Sequence, residues 1–141
     1  MRYFNNPYCY RLNNNHTGAL EIQVLDATND LPISNALINL STISYSGQFV
    51  EGAEGIVIAE LYTNHNGMLH MHLPPLNELT HGNAFYAAEV NKEGYNDIYI
   101  FYIQIYPNTT SNYYIYLTPI SDNIKRFSFT FQPTTKRVHE H

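Results

Sequence analysis

At 141 residues the chain has the length of one domain with a buried core, and 44% hydrophobic against 13% charged residues mark it as folded rather than a solvated tail. A net charge of −5 excludes the phosphate-neutralising chemistry of a nucleic-acid binder, and no apolar run approaches the roughly 20 residues of a membrane-spanning helix. Thirteen tyrosines and no tryptophan, with Ile, Thr and Phe common, favour pleated strands over helices.

In chain order, residues 1–18 form a basic arm with Arg2 and Arg11 and no acid. The arm has no apolar core of a secretory signal, so export is expected to need none, as in release by cell lysis; otherwise the protein stays in the cytoplasm. Cys9 is the single cysteine and has no internal partner, which makes it a candidate for an intermolecular disulfide in an oxidising setting. Residues 19–120 form an acidic body, with ten acids against Lys92 alone, a charge of −9.

The body reads as strands separated by turn signals. Leu20, Ile22 and Val24 alternate with Glu21 and Gln23, and the run stops at the turn residues 26–30. Ala36, Ile38 and Leu40 follow Pro32. A run over 56–62 leads through Asn64-His65-Asn66-Gly67 to Leu69, Met71 and Leu73. Pro74-Pro75 ends that strand, since proline cannot donate to a ladder. Strands over 85–90, 98–106 and 113–117 complete the set. Seven short strands without helical periodicity predict an all-β fold, a seven-stranded, two-sheet Greek-key sandwich.

Residues 121–141 are a second basic extension. In it Phe127, Phe129 and Phe131 alternate with Ser128, Thr130 and Gln132, an extra strand over 127–131 with one aromatic face. Three phenylalanines at a strand's period are expected to be buried, each contributing roughly 1.5–3 kcal/mol. The strand either folds onto its own domain or is donated to a neighbouring subunit, and the pattern is compatible with both.

The body also resembles a known family. Ile22-Gln23-Val24-Leu25-Asp26-Ala27-Thr28, then Leu31-Pro32-Ile33-Ser34-Asn35-Ala36 and Ile38, resembles the opening of carboxypeptidase regulatory-like domains, which share the transthyretin-like (prealbumin-like) sandwich. Glu60-Leu61-Tyr62-Thr63-Asn64-His65-Asn66-Gly67 is similar to that family's hairpin, Lys92-Glu93-Gly94-Tyr95 to its Gly-Tyr before a strand, and Tyr116-Leu117-Thr118-Pro119 to its ending. Leu73-Pro74-Pro75 fits the form seen in small domains of spore-forming Firmicutes. The resemblance covers about residues 19–120 and implies an accessory or structural role.

Catalytic chemistry finds little support. Hydroxyisourate hydrolases share this fold, but where they carry a histidine and an arginine this chain has Gln23 and Met68, so proton carrier and anion-stabilising cation are both missing. His70 and His72, two apart on one strand, share a face and are weak metal candidates that need a third ligand from elsewhere; His65, His81 and the tail pair His139 and His141 add no more. No metal or other cofactor is therefore expected. A Lys–Asn isopeptide bond needs a first-strand lysine, which is lacking.

The expected protein is a non-catalytic structural subunit forming a homo-oligomer or filament through its extensions, by strand donation. Its contacts are assigned to Phe127, Phe129, Phe131, Lys125, Arg126, Arg2 and Arg11. The resemblance and the lack of a signal suggest a spore or cell surface. The alternative is a monomeric module binding a glycan or a protein through exposed tyrosines and histidines.

Overall fold

The computed structural model describes residues 2–3, 17–45, 53–76 and 83–131. The strands are β1 (Arg2–Tyr3), β2 (Gly18–Asp26), β3 (Leu37–Tyr45), β4 (Ala53–Tyr62), β5 (Met68–Leu73), β6 (Asn83–Asn91), β7 (Asp97–Ile103), β8 (Thr110–Leu117) and β9 (Phe127–Thr130). They form a larger sheet of order β1-β4-β3-β6-β7-β9 and a smaller one of order β5-β2-β8. The seven expected body strands are β2 to β8, split four and three between the sheets of an all-β sandwich. To the larger sheet the chain's ends add β1, which the sequence does not signal, and β9.

Alternation builds the core. Leu20, Ile22 and Val24 of β2 meet Ile38 and Leu40 of β3, Leu61 of β4, Val90 of β6 and Ile100 of β7, all essentially without solvent contact. As the middle strand of the smaller sheet, β2 pairs antiparallel with β5 and parallel with β8, Ile22 lying opposite both Leu69 and Tyr113. Gly18 opens it where a Cβ would stand 2.2 Å from the Tyr106 carbonyl oxygen, so no larger residue fits.

The turn residues act through specific hydrogen bonds. The Asn64 side-chain oxygen accepts from the backbone N–H of Asn66 and of Met68, closing the β4–β5 turn around Gly67 at φ 71°. Asp26, at the end of β2, accepts from the Thr28 backbone at 2.7 Å and the Thr28 hydroxyl through Oδ1, and from the Tyr95 hydroxyl at 2.6 Å through Oδ2. These bonds, the Thr28 hydroxyl first, hold the Asp26 carboxyl below its ordinary value, and Asp26 in turn raises Tyr95. The Asp and Gly-Tyr motifs, distant in sequence, are thus two halves of one clasp.

The expected 98–106 strand ends early. The β6–β7 register shifts between Tyr86 and Ala88, and Tyr102 sits at φ 57°, a left-handed backbone unusual for a bulky residue. The bulge takes the chain out of the ladder after Ile103.

Candidate functional site

The sandwich leaves the outer face of the larger sheet uncovered among the described residues, and the chemistry concentrates there. Along β7, Ile98 and Ile100 point into the sandwich, so Asp97, Tyr99 and Phe101 point out. β9 lies parallel to β7 with Asp97 opposite Phe127 and Tyr99 opposite Phe129. The phenylalanine face therefore extends the outer face of the sheet by one strand.

Contacts on one side of β9 fix it there. The Arg126 N–H donates to the Asn96 side-chain oxygen at 2.7 Å, and the Asp97 N–H donates to the Arg126 carbonyl at 3.1 Å. Lys125 Nζ lies 3.2 Å from Asp97 Oδ1, a charge contact without a directed hydrogen bond. Arg126 also clamps both Asp122 oxygens, at 3.0 and 2.8 Å, which lowers the Asp122 pKa and raises its own. In the single chain, the strand pairs with β7 of its own domain.

The expected burial of the phenylalanines is not found. Phe127, Phe129 and Phe131 are 62%, 52% and 55% exposed, because no layer of the described residues lies above the outer face. They form a ladder with their neighbours instead. Tyr99 stacks on Phe129 at 5.4 Å, Phe101 stacks on Phe129 at 5.3 Å, and Phe127 meets Phe129 edge-on at 5.4 Å. Phe131 reaches both Phe101 at 5.9 Å and Tyr102 at 6.1 Å, so the bulge adds a ring to the ladder. A hydrogen bond to Glu89 pushes the Tyr99 hydroxyl pKa up, with burial adding to it.

Beside this ridge the face dips into a trough of about 440 Å³. Small side chains on the central strands, Ser41 of β3 and Ala87 of β6, form its floor. Val57 and Glu60 line it on β4, Tyr99 and Phe101 on β7. Sequence reasoning marked the three phenylalanines but missed Phe101 and the trough, since neither exists until β3, β6, β7 and β9 are aligned.

The other candidates fall apart from this face. His70 and His72 lie on the exposed face of β5 with rings 5.3 Å apart, and His70 Nδ1 is 3.3 Å from Glu21 Oε2. Among the described residues no three His, Cys, Asp or Glu side chains gather as a metal site. Gln23 and Met68 are direct cross-strand partners, so the positions where the hydrolases carry His and Arg do come together, occupied by an amide and a thioether. Lys92 is on the surface and donates to the Ser34 carbonyl at 3.1 Å. Of Arg2 only the strand placement is described, opposite Glu60. Cys9, Arg11, His81, His139 and His141 lie outside the described residues.

Comparison with solved structures decides the fold. The chain is similar to the minor pilin GBS52 of Streptococcus agalactiae, with 15% identity and a TM-score of 0.51 over 77% of this chain. The fold is a prealbumin-like β-sandwich. The chain spans about half of that pilin, 47% of its length. The sandwich is equally similar to 3-chlorocatechol 1,2-dioxygenase of Rhodococcus opacus 1CP, at 11% identity and a TM-score of 0.51, over 79% of this chain and 63% of the enzyme. Catechol 1,2-dioxygenase of Pseudomonas arvilla C-1 gives 10% identity and a TM-score of 0.50, over 84% of this chain and 60% of the enzyme. No family model and no curated protein matches the sequence. No helix among the described residues is long and apolar enough to cross a membrane.

Proposed function

We propose that the protein is a non-catalytic structural subunit of a cell-surface or spore-surface assembly, and that it associates with copies of itself through the outer face of its larger sheet. One observation carries this reading: five aromatic rings, those of Tyr99, Phe101, Phe127, Phe129 and Phe131, form one contiguous ladder whose three phenylalanines are more than half exposed. A contiguous apolar patch of this kind marks an interaction surface. The fold it shares with GBS52, a pilin, supports a surface role, while its likeness to two dioxygenases means that the fold alone does not separate structure from catalysis. Strand donation, the mechanism expected from the sequence, would require β9 to leave Asn96 and Asp97. The present reading keeps β9 in place and uses its face.

The test is the mass of the full chain in solution, by light scattering over a range of concentrations, beside a variant with Phe127, Phe129 and Phe131 all changed to Ser. Self-association of the natural chain and a folded, monomeric variant support the proposal; a natural chain that stays monomeric up to high concentration refutes it. A second reading has one observation in its favour. Tyr99, Phe101 and Phe129 are stacked within 10° to 29° of parallel, and the half-exposed Phe129 ring offers an aromatic surface of the kind a sugar ring packs on. Glycan binding lost in the same variant, by a chain that is monomeric throughout, would select it.

A further inference from the structure

Building on that self-association, we infer that the assembling unit is a closed two-fold dimer, in which the aromatic ridge of each copy fills the trough of the other. Ridge and trough lie side by side on one sheet face: the ridge is on β9 and β7, and the trough is floored two to three strands away by Ser41 and Ala87. With strands about 4.8 Å apart, the two features are separated by roughly 12 Å. A two-fold axis parallel to the strands, passing over β7, carries the β9 rings of one copy onto the trough of the other, brings Tyr99 and Phe101 of the two copies together at the axis, and repeats the contact in reverse. One operation thus satisfies both halves, and no ridge is left over to extend a chain.

Register and area agree with this pairing. Phe129 is level with Tyr99, Glu89 and Asn39, and Phe131, two residues on, reaches the height of Ala87 and Ser41. Matched at equal height, Phe131 enters the part of the trough whose floor is smallest, and Phe129 stands over its Asn39–Glu89 end. Aromatic side chains bury about 150–250 Å² each, so three phenylalanines more than half exposed, with the smaller exposed parts of Tyr99 and Phe101, offer about 400 Å² per copy. Val57, 43% exposed on the trough wall, and its neighbours extend that toward the roughly 800 Å² per partner of a stable interface.

The test is complementation between two full-length variants, one altered in each half of the contact. Phe129→Ser blunts the ridge, and Ser41→Arg fills the trough; Val57→Lys serves as a second trough variant, and urea unfolding checks that each is folded. Sedimentation is expected to give a natural chain that stops at the dimer, and each variant alone is expected to dimerise at least about 30-fold more weakly, as for loss of an anchor in a buried contact. Mixing the ridge variant with a trough variant then restores a dimer, because the intact ridge of one meets the intact trough of the other. Association of the natural chain without restoration on mixing overturns the ridge-in-trough contact and leaves self-association standing. Growth of the natural chain beyond the dimer through this face overturns the closure. A natural chain that is monomeric throughout removes the self-association reading itself.

Discussion

The attachment of β9 to its own sheet can be tested at the residues that hold it. Asn96→Ala removes the acceptor of the Arg126 N–H, an exposed hydrogen bond of net value about 1 kcal/mol. Lys125→Ala removes the cation facing Asp97, whose side chain is only 18% exposed, and contributes up to about 1 kcal/mol more. Together they should lower the opening free energy of β9 by about 2 kcal/mol, which speeds its exchange about 30-fold, a factor of ten for each 1.4 kcal/mol. Hydrogen exchange followed by mass spectrometry on peptides spanning 124–131 reads this directly, with peptides from β3 and β6 as internal reference. The expected pattern is a gain confined to β9, measured in the dilute, monomeric chain. Unchanged exchange at β9 would show that these side chains do not hold it. Unprotected exchange of β9 in the dilute, monomeric natural chain would mean that a neighbour supplies the pairing, and the placement on β7 would fail.

Thr63→Val replaces a buried hydroxyl that donates to the Ile33 carbonyl at 2.7 Å and accepts from the Ala36 N–H at 2.9 Å; two buried backbone groups lose their partner, and the loss in urea unfolding should be about 3 kcal/mol. Asp26 has a lowered folded-state pKa, so its clasp contributes stability that is present above the ordinary carboxylate value and lost as the pH falls through the lower folded value. Thr28→Ala should therefore be less stable than the natural chain at pH 7, with the gap closing below about pH 4; a gap of constant size would contradict the linkage.

Much of the sandwich was legible because alternation at period two is written locally. Leu20, Ile22 and Val24, or Leu69, Met71 and Leu73, declare both a strand and its inward face, and Asn64 to Gly67 declare the turn between strands. What the alternation of Phe127, Phe129 and Phe131 cannot declare is what lies above the face. The same pattern serves a buried strand and one that widens an uncovered sheet, and hydrophobicity alone favours the first reading. The parallel partner of β9 was equally hidden, since it is set by Asn96 and Asp97, thirty residues upstream, through hydrogen bonds to the backbone of Arg126. β1 is only two residues long and carries no period at all. The bulge at Tyr102 ended β7 where the apolar run continued, because backbone conformation there overrides composition.

The parallel pairing of β2 with β8 has a consequence for how the chain comes to be folded. Ala19 waits for Thr110, and Val24 for Ile115, so the middle strand of the smaller sheet meets one of its two neighbours only after about ninety further residues have been synthesised. Closing loops of that length before the contacts reward it makes for slow, late-committing kinetics. β9 follows still later, on the far side of β8 in the sequence but back in the other sheet. The aromatic ridge is therefore completed only after the sandwich beneath it, so its rings come together on a scaffold that is already largely formed.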